Sequence, residues 1–235
     1  MKSLCLIFLL WAQFAVANNP QLISVNGIGE RSVDPNIVII NLEIFGKSVA
    51  AKAAQDLQAK EYNRIKSIVE KFKIKKDDFI TQNFSINPEY TYDPKTQISK
   101  LSGYRVSHQV QMTYKKVDDA GQLIDALTST AKVDTAGVQI QSISWDSDKK
   151  SPAESEAMID AVQAAKDKAE KLAKAAGVKI KNVYLISQTS GSESVAPVFS
   201  GNMKAMAMES VHTATAVQGG QIKVKSEVLM QFEIN

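Results

Sequence analysis

The sequence predicts an α+β fold: a mainly antiparallel sheet system with long hairpins and about three helices packed on it. Three observations carry this. Apolar residues recur at every second position in several stretches, as in NIVIINLEIF, Asn36 to Phe45. Two long stretches, Val49 to Phe72 and Ser151 to Ala176, instead carry apolar residues at helical spacing. Strand patterns occupy both ends of the folded region with the helices interspersed, which favours antiparallel pairing over a doubly wound parallel sheet.

The 235-residue chain opens on MKSLCLIFLLWAQFAVA, with Lys2 ahead of an apolar run from Leu4 to Val16 and small residues at Ala15 and Ala17. This is the pattern of an export signal cleaved after Ala17, so residues 1–17 are read as a signal peptide and 18–235 as the folded region. That region reads as one domain, with a division into about 22–116 and 117–235 as an alternative. The sole cysteine, Cys5, lies within the signal, so a mature chain starting at Asn18 has no disulfide, thiolate ligand or cysteine nucleophile. Net charge is +3, with lysines and acids alternating rather than clustering. Nucleic acid is therefore not an expected partner. The densest basic run, KFKIKK (Lys71 to Lys76), is read as a solvated helix end.

Along the chain, Val25 to Glu30 and Asn36 to Phe45 are expected to pair as a hairpin about the Asp34-Pro35 turn. The first long helix has the stripe Ala50, Ala54, Leu57, Ile65, Ile68 and Phe72, interrupted by Glu61. Next, DFITQNFSINPEYTY is expected to be a strand with Ile80, Phe84 and Ile86 on one face. It turns at YDPKTQ (Tyr92 to Gln97) into LSGYRVSHQVQMTYKK. There Tyr104, Val106, His108, Val110, Met112 and Tyr114 face one way, and Arg105, Ser107, Gln109, Gln111 and Thr113 the other. The two strands form a long antiparallel hairpin. A short helix over Val117 to Ala131 carries Leu123, Ile124 and Leu127, and a strand follows over Val138 to Trp145.

Ser151, Pro152 and Glu154 have the spacing of a capped helix start, and Gly177 is a natural stop. The stripe of this helix is read as Met158, Val162, Ala165, Ala169, Leu172 and Ala176, the alanines permitting close packing on a sheet. Asn182 to Ser187 is a strand, and Gln188 to Gln218 has no period and is read as a long loop. In the closing strand Ile222, Val224, Val228, Met230, Phe232 and Ile234 alternate with polar residues, and Ser226 alone breaks the apolar side.

Gly27 and Gly29, in VNGIGERS, resemble the start of a phosphate-binding loop. A dinucleotide fingerprint needs a third glycine and an immediate helix; here position 32 is Ser32 and another strand follows Pro35. Glycines at i and i+2 instead strip one face of a strand, so that a helix, ring or neighbouring subunit can approach closely.

Taken together, VNGIGERSVDPNIVIINLEI, the hairpin ending in GYRVS, GQLIDAL, AAKDKAEKLAKAAGVKIKNVYLIS, APVFSGNMKAMAME and the terminal GGQIKVKSEVLMQFEI resemble the SIMPL-domain family of bacterial envelope proteins, from Ser24 to Ile234. The resemblance implies a periplasmic protein, compatible with outer-membrane association, linked to oxidative-stress defence. It also implies a homo-oligomer, for which ring-like assemblies in the family are the precedent. It implies no enzymatic activity.

The residues themselves point the same way. Only His108 and His212 are available as imidazole bases. His108, within an apolar strand face, is read as a buried, hydrogen-bonded core residue. Asp77-Asp78 and Asp118-Asp119 read as caps or turn residues at element ends. No catalytic residue, cofactor-binding residue or metal ligand is assigned. One alternative is a loop in which Met203, Met206, Met208 and His212 hold Cu(I) or scavenge oxidant, against the plainer reading that the methionines pack an interface. A second alternative is an enzyme of unrecognised type. The expected partners are further copies of the chain, with another envelope protein or the membrane surface also compatible. Tyr90, Tyr92 and Tyr104 mark the hairpin as a docking element.

Overall fold

The computed structural model describes residues 20–129, 135–189 and 219–235. The predicted signal and the stretch with Met203, Met206, Met208 and His212 lie outside them. The elements in order are β1 (Leu22–Val33), β2 (Ile37–Ser48), α1 (Ala51–Lys71), β3 (Phe79–Asp93), β4 (Ile98–Tyr114), α2 (Ala120–Thr128), β5 (Ala136–Asp146), α3 (Lys150–Ala176), β6 (Ile180–Thr189) and β7 (Ile222–Ile234). They make a four-stranded sheet, β3-β4-β2-β5, and a three-stranded sheet, β1-β7-β6. The α+β class is as the periodicity predicts.

Among the described residues, one compact unit comprises 20–29, 158–189 and 226–235, and the other 30–157 and 219–225. The larger is built on β2, which pairs antiparallel with β4 on one side and β5 on the other. Its core face carries Val38, Ile40, Leu42 and Ile44, which pack with Ile65 and Val69 of α1, Val110 and Met112 of β4, and Leu123 and Leu127 of α2. Burying each such side chain contributes about 1.5–3 kcal/mol. Helix α1 approaches closely at Gly46, where a Cβ would overlap the Ala54 carbonyl oxygen and lie 2.6 Å from the Gln58 nitrogen. Its buried line is Ala54, Gln58, Ile65 and Val69. Leu57 and Ile68 of the expected stripe are half-buried, and a glutamine, not an apolar residue, fills the central position. The helix ends with Lys73 in the left-handed region (φ 55°), and the Ile74 and Lys73 amides close on the Val69 and Glu70 carbonyls.

In the smaller unit, α3 lies on β1, β7 and β6. Gly27 is the point of contact: a Cβ there would overlap the Ala161 carbonyl oxygen and lie 2.7 Å from the Ala165 nitrogen. The glycine pair therefore serves helix-on-sheet packing, not phosphate. Ala161, Ala165 and Ala169 meet Val25, Val228, Met230 and Phe232. Gly177 (φ 72°) stops α3, the Val178 and Gly177 amides bonding the Ala173 and Lys174 carbonyls.

Five expectations are corrected. β1 and β2 do not form a hairpin; they enter different sheets, and the neighbour of β1 is β7. The buried line of α3 is the alanine ladder 153, 157, 161, 165, 169 and 173, whereas Met158, Leu172 and Ala176 are exposed. A four-residue step of the smallest side chain permits the close approach at Gly27; a stripe of Met and Leu would hold the helix off. α3 begins at Lys150, so Ser151 lies inside it, and Ser147 supplies the hydroxyl at its start, accepting from the Lys149 amide. The segment expected as helix from Val117 opens as a 3-10 turn, with α-helix from Ala120 to Thr128. Gln188 and Thr189, expected to open a loop, belong instead to β6, and the rest of that stretch, residues 190–218, lies outside the described residues.

Ser226, the residue that breaks the apolar alternation of β7, is buried, and its hydroxyl has no hydrogen-bond partner among the described residues. Ser226→Ala is expected to raise stability by about 1 kcal/mol, read as a higher urea midpoint at unchanged slope.

Candidate functional site

The β3–β4 hairpin continues past the sheet. β2 pairs β4 only as far as Ser48 opposite Tyr104. Beyond that point β4 has β3 alone, with Tyr90 opposite Leu101 and Tyr92 opposite Ser99. Two bulges set which side chains share a face. Gln82 is an extra residue on β3 between Thr81 and Asn83, and Ser102 is an extra residue on β4. The first reverses the parity of β3. Ile80 lies opposite Gln111, on the polar face, while Phe84 and Ile86 lie opposite His108 and Val106, on the helix side. The expected common face of Ile80, Phe84 and Ile86 is thus corrected. From Phe84 the alternation continues through Ile86, Pro88, Tyr90 and Tyr92, with Leu101 beside Tyr90. Tyr90 is 63%, Tyr92 59% and Leu101 50% exposed, and Phe84 and Ile86 are exposed as well. The result is an apolar strip along an edge strand, a type of surface that soluble chains normally blunt or cover. Tyr104, the third expected aromatic, is half-buried. The turn is fixed by Asp93, whose Oδ1 accepts the Lys95 amide at 2.9 Å. That bond and one from the Thr96 side chain hold its carboxyl below the usual range.

At the sheet end of this strip sits His108, 9% exposed. Its Nδ1 faces Gln58 Nε2 at 3.1 Å and its Nε2 faces Thr81 Oγ1 at 2.8 Å. Tyr62 stacks on the ring at 5.0 Å, and Phe84 meets it edge-on at 5.4 Å. Burial pushes its pKa down. Thr81, His108 and Gln58 have the connectivity of nucleophile, base and orienting group, but the polarity is reversed. A Gln58 nitrogen can only donate, so Nδ1 accepts, Nε2 carries the hydrogen, and the imidazole donates to Thr81 rather than taking its proton. The arrangement is that of a satisfied core histidine.

A second cluster, not visible in the sequence, lies on the opposite face of the sheet. Glu43, 9% exposed, accepts at Oε1 from Arg105 Nη2 (2.8 Å), Arg105 Nε (3.1 Å) and Ser107 Oγ. The Arg105 guanidinium also lies 4.4 Å from the centroid of the Phe45 ring, which it covers. Lys47 pairs with Glu89 at 2.9 Å on the same face. Water therefore does not wet that face uniformly, as strict alternation implies; around Glu43 it is shielded by its own long side chains. Arg105 and Ser107 alternate regularly in sequence, but Glu43 gives no signal, because its partners are 62 and 64 residues away.

Asp77 and Asp78 lie in a 3-10 turn after α1, and Asp118 and Asp119 in the one before α2. The Asp119 charge adds to burial, the larger cause, in raising the Tyr114 pKa. Among the described residues no group of three or more His, Asp or Glu could hold a metal ion, and no helix is long and apolar enough to cross a membrane.

Comparison with known proteins adds two findings. The profile of the family SIMPL, described as a protein of unknown function (DUF541), matches residues 23–232. Proteins named "26 kDa periplasmic immunogenic protein" from Brucella melitensis biotype 1 and from Brucella abortus are each 26% identical over 222 residues, which covers 93% of this chain and 87% of the relative.

Proposed function

Because the chain belongs to the SIMPL family, we propose that it is an exported, non-catalytic protein of the cell envelope that acts by assembling with further copies of itself. The observation that carries this reading is the apolar strip that starts at Ile86 on the sheet edge and continues through Tyr90, Tyr92 and Leu101 on a two-stranded ribbon extending past the sheet. Tyrosines offer large, rigid contact area at low entropy cost, which suits an interface better than a solvated surface. The printed name of the Brucella relatives supports a periplasmic location. The Ala15 to Ala17 cleavage pattern supports arrival there by a cleaved signal. A contribution to oxidative or envelope stress defence rests on the family resemblance alone.

Light scattering across micromolar concentrations tests the assembly. A mass above the monomer is expected, and the double variant Tyr90→Ser, Tyr92→Ser should weaken association about 100-fold while its circular dichroism stays native. A monomer mass that persists as concentration rises overturns the proposal. Proteolysis of a cell fraction followed by N-terminal sequencing checks the location; a retained Met1 contradicts the cleaved signal.

A further inference from the structure

We propose that His108, held between Gln58 and Thr81, is an acid-sensitive latch on the edge strand β3: its protonation loosens Phe79 to Ile86 from the sheet. This goes beyond the assembly reading and stands whether or not the hairpin docks on another copy.

Each nitrogen of the imidazole is spoken for in the neutral form. Nδ1 accepts from the Gln58 amide at 3.1 Å, and Nε2 faces Thr81 Oγ1 at 2.8 Å. A proton arriving on Nδ1 turns that atom from acceptor to donor, against a group that also donates. Rotation of the Gln58 amide restores one hydrogen bond but leaves a full charge in a buried site. The elements around the ring offer no counter-charge. α1 contributes Gln58 and Tyr62, β3 contributes Thr81 and Phe84, and β2 places Ile44 opposite. Tyr62 is the one titratable neighbour among these contacts, and none is a carboxylate. The ring faces of Tyr62 and Phe84 attract an imidazolium weakly; burial nevertheless dominates, since it is the one cause that moves His108 and it moves it downward.

A buried imidazolium therefore has to reach water, and the structure leaves one economical route. β4 is held on both sides, by β2 and by β3, and α1 is packed into the main core. β3 is an edge strand, interrupted by a bulge at Gln82 beside the Thr81 contact. Phe84, which covers the imidazole edge, is already 45% exposed. Lifting the first part of β3 uncovers the ring and takes from the core beneath α1 and α2 only the partly buried Phe79, which packs against its margin. The folded state binds the proton less readily than the unfolded chain does. The stability held by the neutral ring is thus fully present above the unfolded histidine value near 6.5, declines as pH falls from there, and stops changing below the depressed folded value.

Hydrogen exchange of the mature protein at a series of pH values from about 7.5 to about 5, corrected for intrinsic exchange rates, tests this. Protection of the Phe79 to Ile86 amides is expected to fall about tenfold by the lowest pH, with α1 and β2 unchanged. The His108 resonance, separated from the other histidine by His212→Asn, should titrate with the same midpoint. His108→Gln, which cannot take up the proton, should remove the pH dependence of β3. Equal protection across the series, a histidine midpoint apart from that of β3, or an undiminished response in folded His108→Gln each overturns the latch. Should His108→Gln fail to fold, the coincidence of the two midpoints in the wild-type side chain decides by itself.

Discussion

Gly27→Ala is expected to cost about 3 kcal/mol, at the upper end of what a single added methyl does in a packed site. The added Cβ has no flexible neighbour to displace. It would overlap the main-chain oxygen of Ala161, and its next contacts are the Ala165 nitrogen at 2.7 Å and Cβ at 2.8 Å. Relief requires the whole of α3 to retreat from β1, and that retreat opens gaps along Ala165, Ala169, Met230 and Phe232. Thermal unfolding should show a midpoint roughly 6–12 °C lower. An alanine variant within 2 °C of the parent, to within about 0.5 kcal/mol, would show that the helix is not seated on this strand.

Arg105→Met should be the next most damaging change, at about 2 kcal/mol. Methionine preserves the stem over Phe45 and removes both guanidinium hydrogen bonds to Glu43. The carboxylate, 9% exposed, is left with Ser107. Removing one partner of a fully buried pair costs about 3–5 kcal/mol. Arg105 retains about a quarter of its side-chain exposure, so solvent screens part of that. Pairing the change with Glu43→Gln in a double-mutant cycle separates the ion pair from the lost packing. If Arg105→Met is as costly in the Glu43→Gln background as in the parent chain, the charge pair contributes nothing and the stacking on Phe45 is the cause.

Much of the architecture follows from local pattern alone. Alternation located β2, β4 and β7, because each has one face against a helix and its side chains repeat with period two. Helical spacing located α1 and α3, and Gly177 marked the end of α3 through a backbone conformation that glycine enters without strain. The reading of Gly27 and Gly29 as a packing feature needed only the absence of a third glycine and a following helix. The family resemblance, too, was carried by the residues from Ser24 to Ile234, and the SIMPL match over residues 23–232 agrees with it.

What tertiary structure decided is of a different kind. Whether β1 pairs with β2 or with β7 depends on long-range association, and an Asp-Pro turn is compatible with both outcomes. The face of α3 that is buried was decided by how closely the sheet can be approached at Gly27, which selects alanine over the larger apolar residues a periodicity argument ranks first. A single unpaired residue, Gln82, reversed the face of Ile80 relative to Phe84, and a bulge leaves no mark in a hydrophobic pattern. The hydrogen-bond partners of His108 and Glu43 come from strands and a helix 27 to 64 residues distant. Their chemistry was fixed only when the sheet register brought those groups together: local sequence sets which way a side chain points, and pairing register sets what it meets.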